Sequence, residues 1–236
     1  MLVVALLFAF GAGAPVGAKE APETATRVAA LEAQYAKLRK HADTAKFSQR
    51  MDVIRALGKL DSPRARAFLL DIVRRGPVVD DKALAVLALG NKLDVPTATS
   101  VADLIAKDSA PVLVEALGDA FGRTDDERVL TWLATRALDH ASPAVVQAVL
   151  DAQYAQADPR ARDRALALFA AWEKKRAGTA IAHAAVRALG SINGGEVRPF
   201  IIKVAKHEDW RIRLAVADIA AWQKPFDGNV RSMLRN

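Results

Sequence analysis

The stretches Val53-Ile54-Arg55-Ala56-Leu57-Gly58, Ala85-Val86-Leu87-Ala88-Leu89-Gly90, Val112-Leu113-Val114-Glu115-Ala116-Leu117-Gly118 and Ala185-Val186-Arg187-Ala188-Leu189-Gly190 repeat one pattern along the chain. Looser copies keep the register at Val145 to Leu150 and Ala215 to Ala220. With Leu57, Leu89, Leu117, Val149, Leu189 and Ile219 taken as equivalents, the spacings are 32, 28, 32, 40 and 30 residues. A period of that size holds two helices and two turns, and self-similarity at such a period marks stacked supersecondary units. The Ala-Leu-Gly ending has a packing reason: Ala and Gly let neighbouring helices approach closely, and Leu fills the space between them.

Composition agrees with helices. The 236 residues include 49 Ala and 25 Leu with only 6% aromatics, so small and straight-chain side chains carry the apolar content. No comparable period-two runs appear. Second helices of the repeats open at Ser62-Pro63, Pro96-Thr97, Thr124, Asp158-Pro159 and Asn193-Gly194, and first helices near Ser109, Ser142-Pro143 and Asp209. Ser, Thr, Asp and Asn accept from the orphan N–H groups of a first turn, and Pro fits where no donor is needed. Thr124 and Glu127 have the spacing of a capping box. The expectation is an all-α chain of eleven or twelve helices, stacked as a solenoid in which each repeat touches its neighbours.

These residues resemble HEAT repeats, particularly the short bacterial kind with an apolar-Arg, Ala-rich, Leu-Gly first helix, similar to those of the phycobilin lyase type. Ile212-Arg213-Leu214-Ala215-Val216-Ala217 and Val186-Arg187-Ala188-Leu189-Gly190 are the nearest copies, and 142 to 176 is the weakest because it lacks the Leu-Gly ending. The resemblance covers roughly residues 47 to 223. It implies a right-handed α-solenoid of about five hairpins, and a binding or scaffolding role, since few subfamilies are enzymes.

Outside the repeats, three regions follow. Leu2 to Phe10 is an apolar run leading into small residues that end at Val16-Gly17-Ala18, a secretory pattern with cleavage after Ala18. Residues 19–46 carry Val28, Leu31, Tyr35, Leu38 and Ala42 on one helical seam, read as a helix covering the exposed end of the stack. Residues 47–236 form the repeat domain, where Gln223-Lys224-Pro225 breaks the last clear helix. The mature chain has no further apolar run of spanning length, so the expected location is periplasmic or secreted.

The formal charge of +7 is unevenly spread. Residues 19–76 hold thirteen Lys or Arg against seven Asp or Glu, residues 77–141 six against eleven, and residues 142–236 fifteen against nine, giving basic ends and an acidic waist. The candidate binding residues are the basic clusters Arg64, Arg74 and Arg75, then Arg160 and Arg164 on one helix face, then Lys174 and Lys175, and finally Trp210 with Arg211 as an aromatic anchor. The other reading of the basic clusters is solvated helix faces, with Lys174 and Lys175 favoured by a helix C-terminus and Asp80-Asp81 by an N-terminus. Trp132, Trp172 and Trp222 read as packing between repeats.

Catalytic signatures are missing. With no cysteine, thiol catalysis, disulfides and thiolate zinc sites are excluded. His41, His140, His183 and His207 share no metal-ligand spacing, and His207-Glu208 is a single pair where HEAT-like iron hydroxylases use repeated ones. No cofactor, metal or catalytic residue is therefore assigned. The leading expectation is an exported, non-catalytic module whose stacked second helices line a concave surface for another protein or an anionic cell-envelope polymer. Alternatives by analogy are a nucleic-acid binder such as the HEAT-like DNA glycosylases, or a lyase-type enzyme or assembly factor. The acidic waist and the leader count against the first, and the leader and the lack of a matching catalytic residue against the second.

Overall fold

The computed structural model describes residues 20–40, 46–176, 178–192 and 197–222. The leader and its cleavage site, Ala42, Asn193-Gly194 and the stretch after Trp222 lie outside the described residues, as does the side chain of Trp222. Among the described residues the chain is all-α, with no strand. Its helices are α1 (Pro22–Leu38), α2 (Phe47–Lys59), α3 (Pro63–Arg75), α4 (Val79–Leu89), α5 (Val95–Lys107), α6 (Pro111–Gly122), α7 (Glu127–Ala134), α8 (Pro143–Gln156), α9 (Arg162–Lys175), α10 (Thr179–Ser191), α11 (Val197–Val204) and α12 (Trp210–Trp222). Short 3-10 turns occupy Gly90–Lys92, Ala137–Asp139 and Pro159–Ala161.

The quoted repeats are the even-numbered helices, and each packs on the next: α2 on α4, α4 on α6, α6 on α8, α8 on α10 and α10 on α12. The odd helices follow a parallel order, with α1 against α3, α3 against α5 and α5 against α7. The Leu-Gly endings sit at the even-helix contacts. A Cβ on Gly58 would lie 2.7 Å from Ala88 Cβ, and one on Gly90 would lie 2.8 Å from Ala120 Cα, so helix backbones meet where a larger residue has no room. Gly118 faces Ala148 more loosely, at 3.3 Å from its carbonyl. In α8, Leu150 stands in the glycine position and is buried. Leu57, Leu89, Leu117 and Leu189 are all at most 2% exposed, which is the space-filling role their position predicts.

At the N-terminal end, α1 packs on α2 and α3 through Val28 and Tyr35, with Leu31 and Leu38 partly buried beside them. Tyr35 does more than fill space. Its hydroxyl donates to Asp81 of α4 at 3.0 Å, and Arg50 of α2 donates through Nε to both oxygens of the same carboxylate at 3.1 and 2.9 Å. Burial, then the Asp81 carboxylate, pushes the Tyr35 hydroxyl well above the ordinary phenol range. Three helices are thus tied by one buried polar cluster. Asp80-Asp81 does stand at the N-terminus of α4, but only Asp80 faces solvent.

Several helix starts differ from the sequence reading. The cap of α7 is Asp126, whose Oδ1 accepts from the Arg128 N–H at 2.8 Å, and Thr124 accepts only from Asp126 N–H at 3.4 Å. No Thr124–Glu127 capping box forms, because a carboxylate two residues nearer captures the first turn. Likewise α5 is capped by Asp94, which accepts from Thr97 N–H at 2.8 Å, one turn before the expected hydroxyl. Ser62 caps α3 as read, through the Ala65 N–H at 3.1 Å. Ser142 precedes α8 without a side-chain cap bond, and α6 starts after Ala110.

These carboxylate caps predict an acid response. The Arg128 side chain, helped by the backbone N–H groups of α7, holds Asp126 at about 2, and Arg211 likewise holds Asp209 at about 2. Because both folded-state values lie below the unfolded value of about 3.9, the stability they lend is complete above pH 4 and is lost as pH falls toward 2. In thermal melts, an Asp126→Asn, Asp209→Asn double variant should lose Tm less steeply than the parent between pH 4 and pH 2. Parallel curves would mean that these caps do not govern the acid limb.

Candidate functional site

The expected basic patches do not gather into one surface. Arg64 on α3 reaches back to Glu32 of α1, with Nε at 3.0 Å and Nη2 at 2.6 Å. Arg75 is held by Asp71 within α3 at 2.6 Å, and Arg74 is exposed beside it. Arg160 lies in the 3-10 turn before α9 and not in the helix, so it shares no helical face with Arg164. Its guanidinium bonds Asp158 at 2.6 Å, Glu127 at 2.6 Å and Thr131 at 2.8 Å, while Arg164 pairs with Asp139. A cavity of about 650 Å³ opens beside Arg160, but these bonds leave it little capacity for a guest. Lys174 and Lys175 are exposed at the C-terminal end of α9.

Several other cations also tie one element to a neighbouring one. Arg66 pairs with Asp94 at 3.2 Å, Lys82 with Asp108 at 2.7 Å, and Arg176 with Glu208 at 2.7 Å. Like Arg64–Glu32 and Arg160–Glu127, these pairs span roughly one repeat in sequence. That is the signal the charge count missed: opposite charges at the repeat period meet across neighbouring helices. Such exposed pairs each contribute only about 0–1 kcal/mol, yet they consume the charge that a polyanion would need.

Trp132 and Trp172 pack as expected, Trp132 edge-on to Phe121 at 5.8 Å and Trp172 against Phe169 and His207 at 5.4 and 5.5 Å. Trp210 is different. It is 63% exposed, with Leu214 one turn later also exposed, while Arg211 is drawn to Asp209 at 2.7 Å. The aromatic is therefore available but its neighbouring cation is already paired.

A groove of about 880 Å³ runs across α6, α8 and α10. That volume lies inside the range of ligand sites, roughly 300–1,000 Å³. It is lined by first helices, whereas the sequence reading placed the contact surface on second helices. The physical reason is in the repeats themselves. Small residues such as Gly118 and Gly122 on α6 and Ala144 and Ala155 on α8 let these helices draw together and leave space above them.

The sides of the groove carry the charge. Glu115 and Asp119 come from α6, Asp151 and Tyr154 from α8, and Arg187 from α10. Arg187 lies over the Tyr154 ring at 4.4 Å from its centroid and reaches Asp151 at 3.2 Å. Its Nε is buried with no acceptor. Burial pushes the Asp151 carboxyl above its ordinary value, Arg187 and Gln147 pull it back, and Asp119 and Glu115 push it up again. Arg123 stands 4.0 Å from Asp119 at the far end. The groove can therefore hold an elongated guest against a small-residue floor, with an acidic wall on one side and a braced guanidinium on the other. None of its charged residues had been singled out, because i, i+4 positions on different helices become neighbours only after stacking.

The histidines serve the backbone. Nδ1 of His140 accepts from Ser142 N–H and Nδ1 of His207 from Asp209 N–H, each at 3.0 Å. His183 lies 3.7 Å from Asp218, and burial pushes its imidazole below the usual value. His41 is outside the described residues. Among the described residues no cluster of three His, Asp or Glu could hold a metal ion, and no helix is long and apolar enough to cross a membrane. No protein-family model matches this chain, and no curated protein is significantly similar to it.

Proposed function

We propose that this chain is an exported, non-catalytic HEAT-like repeat protein that holds a segment of another polypeptide in the groove over α6, α8 and α10. In this reading the hairpins form a right-handed solenoid of about five repeats, with α1 covering its first face. Two features support the stacked arrangement: the unbroken series of even-helix contacts, and the Leu-Gly endings that meet the next helix at Ala88 and Ala120. The observation that carries the binding role is the groove itself. Its 880 Å³ extend over three even-numbered helices in succession and are lined by more than one kind of side chain, as a contact surface requires.

The lining also ranks the ligands. Three carboxylates in the groove disfavour a nucleic acid or an anionic envelope polymer there, since either would bring phosphates or carboxylates against Glu115, Asp119 and Asp151. A polypeptide carries no such penalty. The test is site-specific photo-crosslinking in cells that express the chain natively. A photoreactive residue at Ala144 or Ile181 is expected to form a discrete protein adduct, and one at exposed Ala67 on α3 is not. Equal labelling from all three positions, or none from the groove, would overturn the proposal.

A further inference from the structure

We infer that the groove selects a polypeptide segment bearing lysine or arginine, which enters opposite Glu115 and Asp119. This rests on the groove being the binding site. The lining residues of α6 run from Pro111 to Gly122, twelve residues along one helix, or about 17 Å at 1.5 Å per residue. An extended chain covers that length in about five residues. The floor under it is made of small side chains, Gly118, Gly122, Ala144 and Ala155, so a backbone can lie close.

Charge decides what that segment carries. The cations facing the groove are already committed: Arg187 is stacked on Tyr154 and paired with Asp151, and Arg123 stands by Asp119. Against these two guanidiniums stand three carboxylates, and Asp151 and Asp119 are the two that face them, at 3.2 Å from Arg187 and 4.0 Å from Arg123; among the described residues Glu115 is in no ion pair. The repulsion is felt inside the site, since Glu115 and Asp119 both raise the carboxyl of Asp151. A guest ammonium or guanidinium near Glu115 relieves this repulsion. An acidic guest would have to compete with Asp151 for Arg187 and would add a fourth carboxylate. The stretch that supplies α6 agrees in sign, because residues 77–141 carry six basic against eleven acidic side chains.

The experiment uses the mature chain and three fluorescein-labelled peptides of about ten residues, long enough to overfill the groove. All three are built on alternating Gly and Ala, one carrying lysines, one glutamates and one neither. Fluorescence anisotropy should show the lysine peptide binding about ten-fold or more tighter than the glutamate peptide, with affinity falling as salt rises. A Glu115→Gln, Asp119→Asn double variant should lose about ten-fold for the lysine peptide, whereas Glu23→Gln on α1, an equal kind of charge loss away from the groove, should lose nothing. Glu115 and Asp119 are exposed, so the fold tolerates both changes. Equal affinity for the three peptides, no binding of the lysine peptide, or an unchanged affinity in the double variant overturns the charge preference. Groove-specific adducts at Ala144 and Ile181 would still stand in that case, so the two readings fail separately. Complete displacement of the lysine peptide by equimolar spermine would assign the site to a free polyamine and also overturn the inference.

Discussion

Replacing Asp81 with alanine should cost about 3–5 kcal/mol of folding stability, the usual cost of removing one partner from a buried ion pair. Asp81 is 0% exposed, Arg50 1% and Tyr35 2%, so no water replaces the lost carboxylate. The Arg50 Nε would lose the carboxylate it donates to at 2.9 and 3.1 Å, and the Tyr35 hydroxyl would lose its acceptor. Urea unfolding should show a lower midpoint with an unchanged slope. Tyr35→Phe removes one hydrogen bond to a charged group and should cost less, about 1.5–3 kcal/mol. An Arg50→Met, Asp81→Leu double variant should recover most of the loss, because apolar side chains of similar volume replace a buried pair at little cost. If Asp81→Ala does not fold at all, these two variants still decide the matter. A change under about 1 kcal/mol for Asp81→Ala, the size expected of an exposed pair, would show that the cluster is open to solvent.

The second large effect is at Gly90, where alanine should destabilise by about 1–3 kcal/mol as an overpacked contact. The added Cβ would come within 2.8 Å of Ala120 Cα and 3.0 Å of its carbonyl oxygen, and backbone atoms of a packed helix cannot move aside singly. Gly118→Ala provides the contrast within the same motif. Its Cβ would stand 3.3 Å from Ala148 O, so the gain of about 1 kcal/mol in helix propensity offsets most of the crowding. Thermal melts should place Gly118→Ala within a few degrees of the parent, and Gly90→Ala lower by roughly 2–4 °C for each kcal/mol lost. Equal shifts for both would mean that the motif acts through propensity and not through close approach.

The two glycines also show how far the sequence could be read. Both end an Ala-Leu-Gly run, and the run alone predicts a helix that must approach its neighbour. Which glycine is under pressure depends on the helix it meets, Ala120 in one case and Ala148 in the other. The caps follow the same division. Ser62 was legible, while Thr124 lost its place to Asp126, because two carboxylates and a hydroxyl within three residues compete for one helix start.

The candidate site was less legible. Arg64, Arg160 and Arg164 read as patches because like charges cluster along the chain, yet each is drawn to an acid on another element: Glu32, Glu127 and Asp139. Trp210 was named as an aromatic beside Arg211 and is exposed, but Glu115, Asp151 and Arg187 lie in amphipathic helices where nothing in the spacing marks them as neighbours.

By itself the sequence determined the all-helical class, the helix-pair period and the leucines that fill the spaces between helices. All three depend on interactions within a turn or two of one helix, which spacing and residue type encode directly. Only the tertiary structure decided that Arg50 and Asp81 are buried together, that Arg64, Arg160 and Arg164 are each paired with an acid of another element, and that the groove lies over α6, α8 and α10. Those outcomes are set by electrostatics and close packing between residues some thirty positions apart, whose environment does not exist until the helices stack.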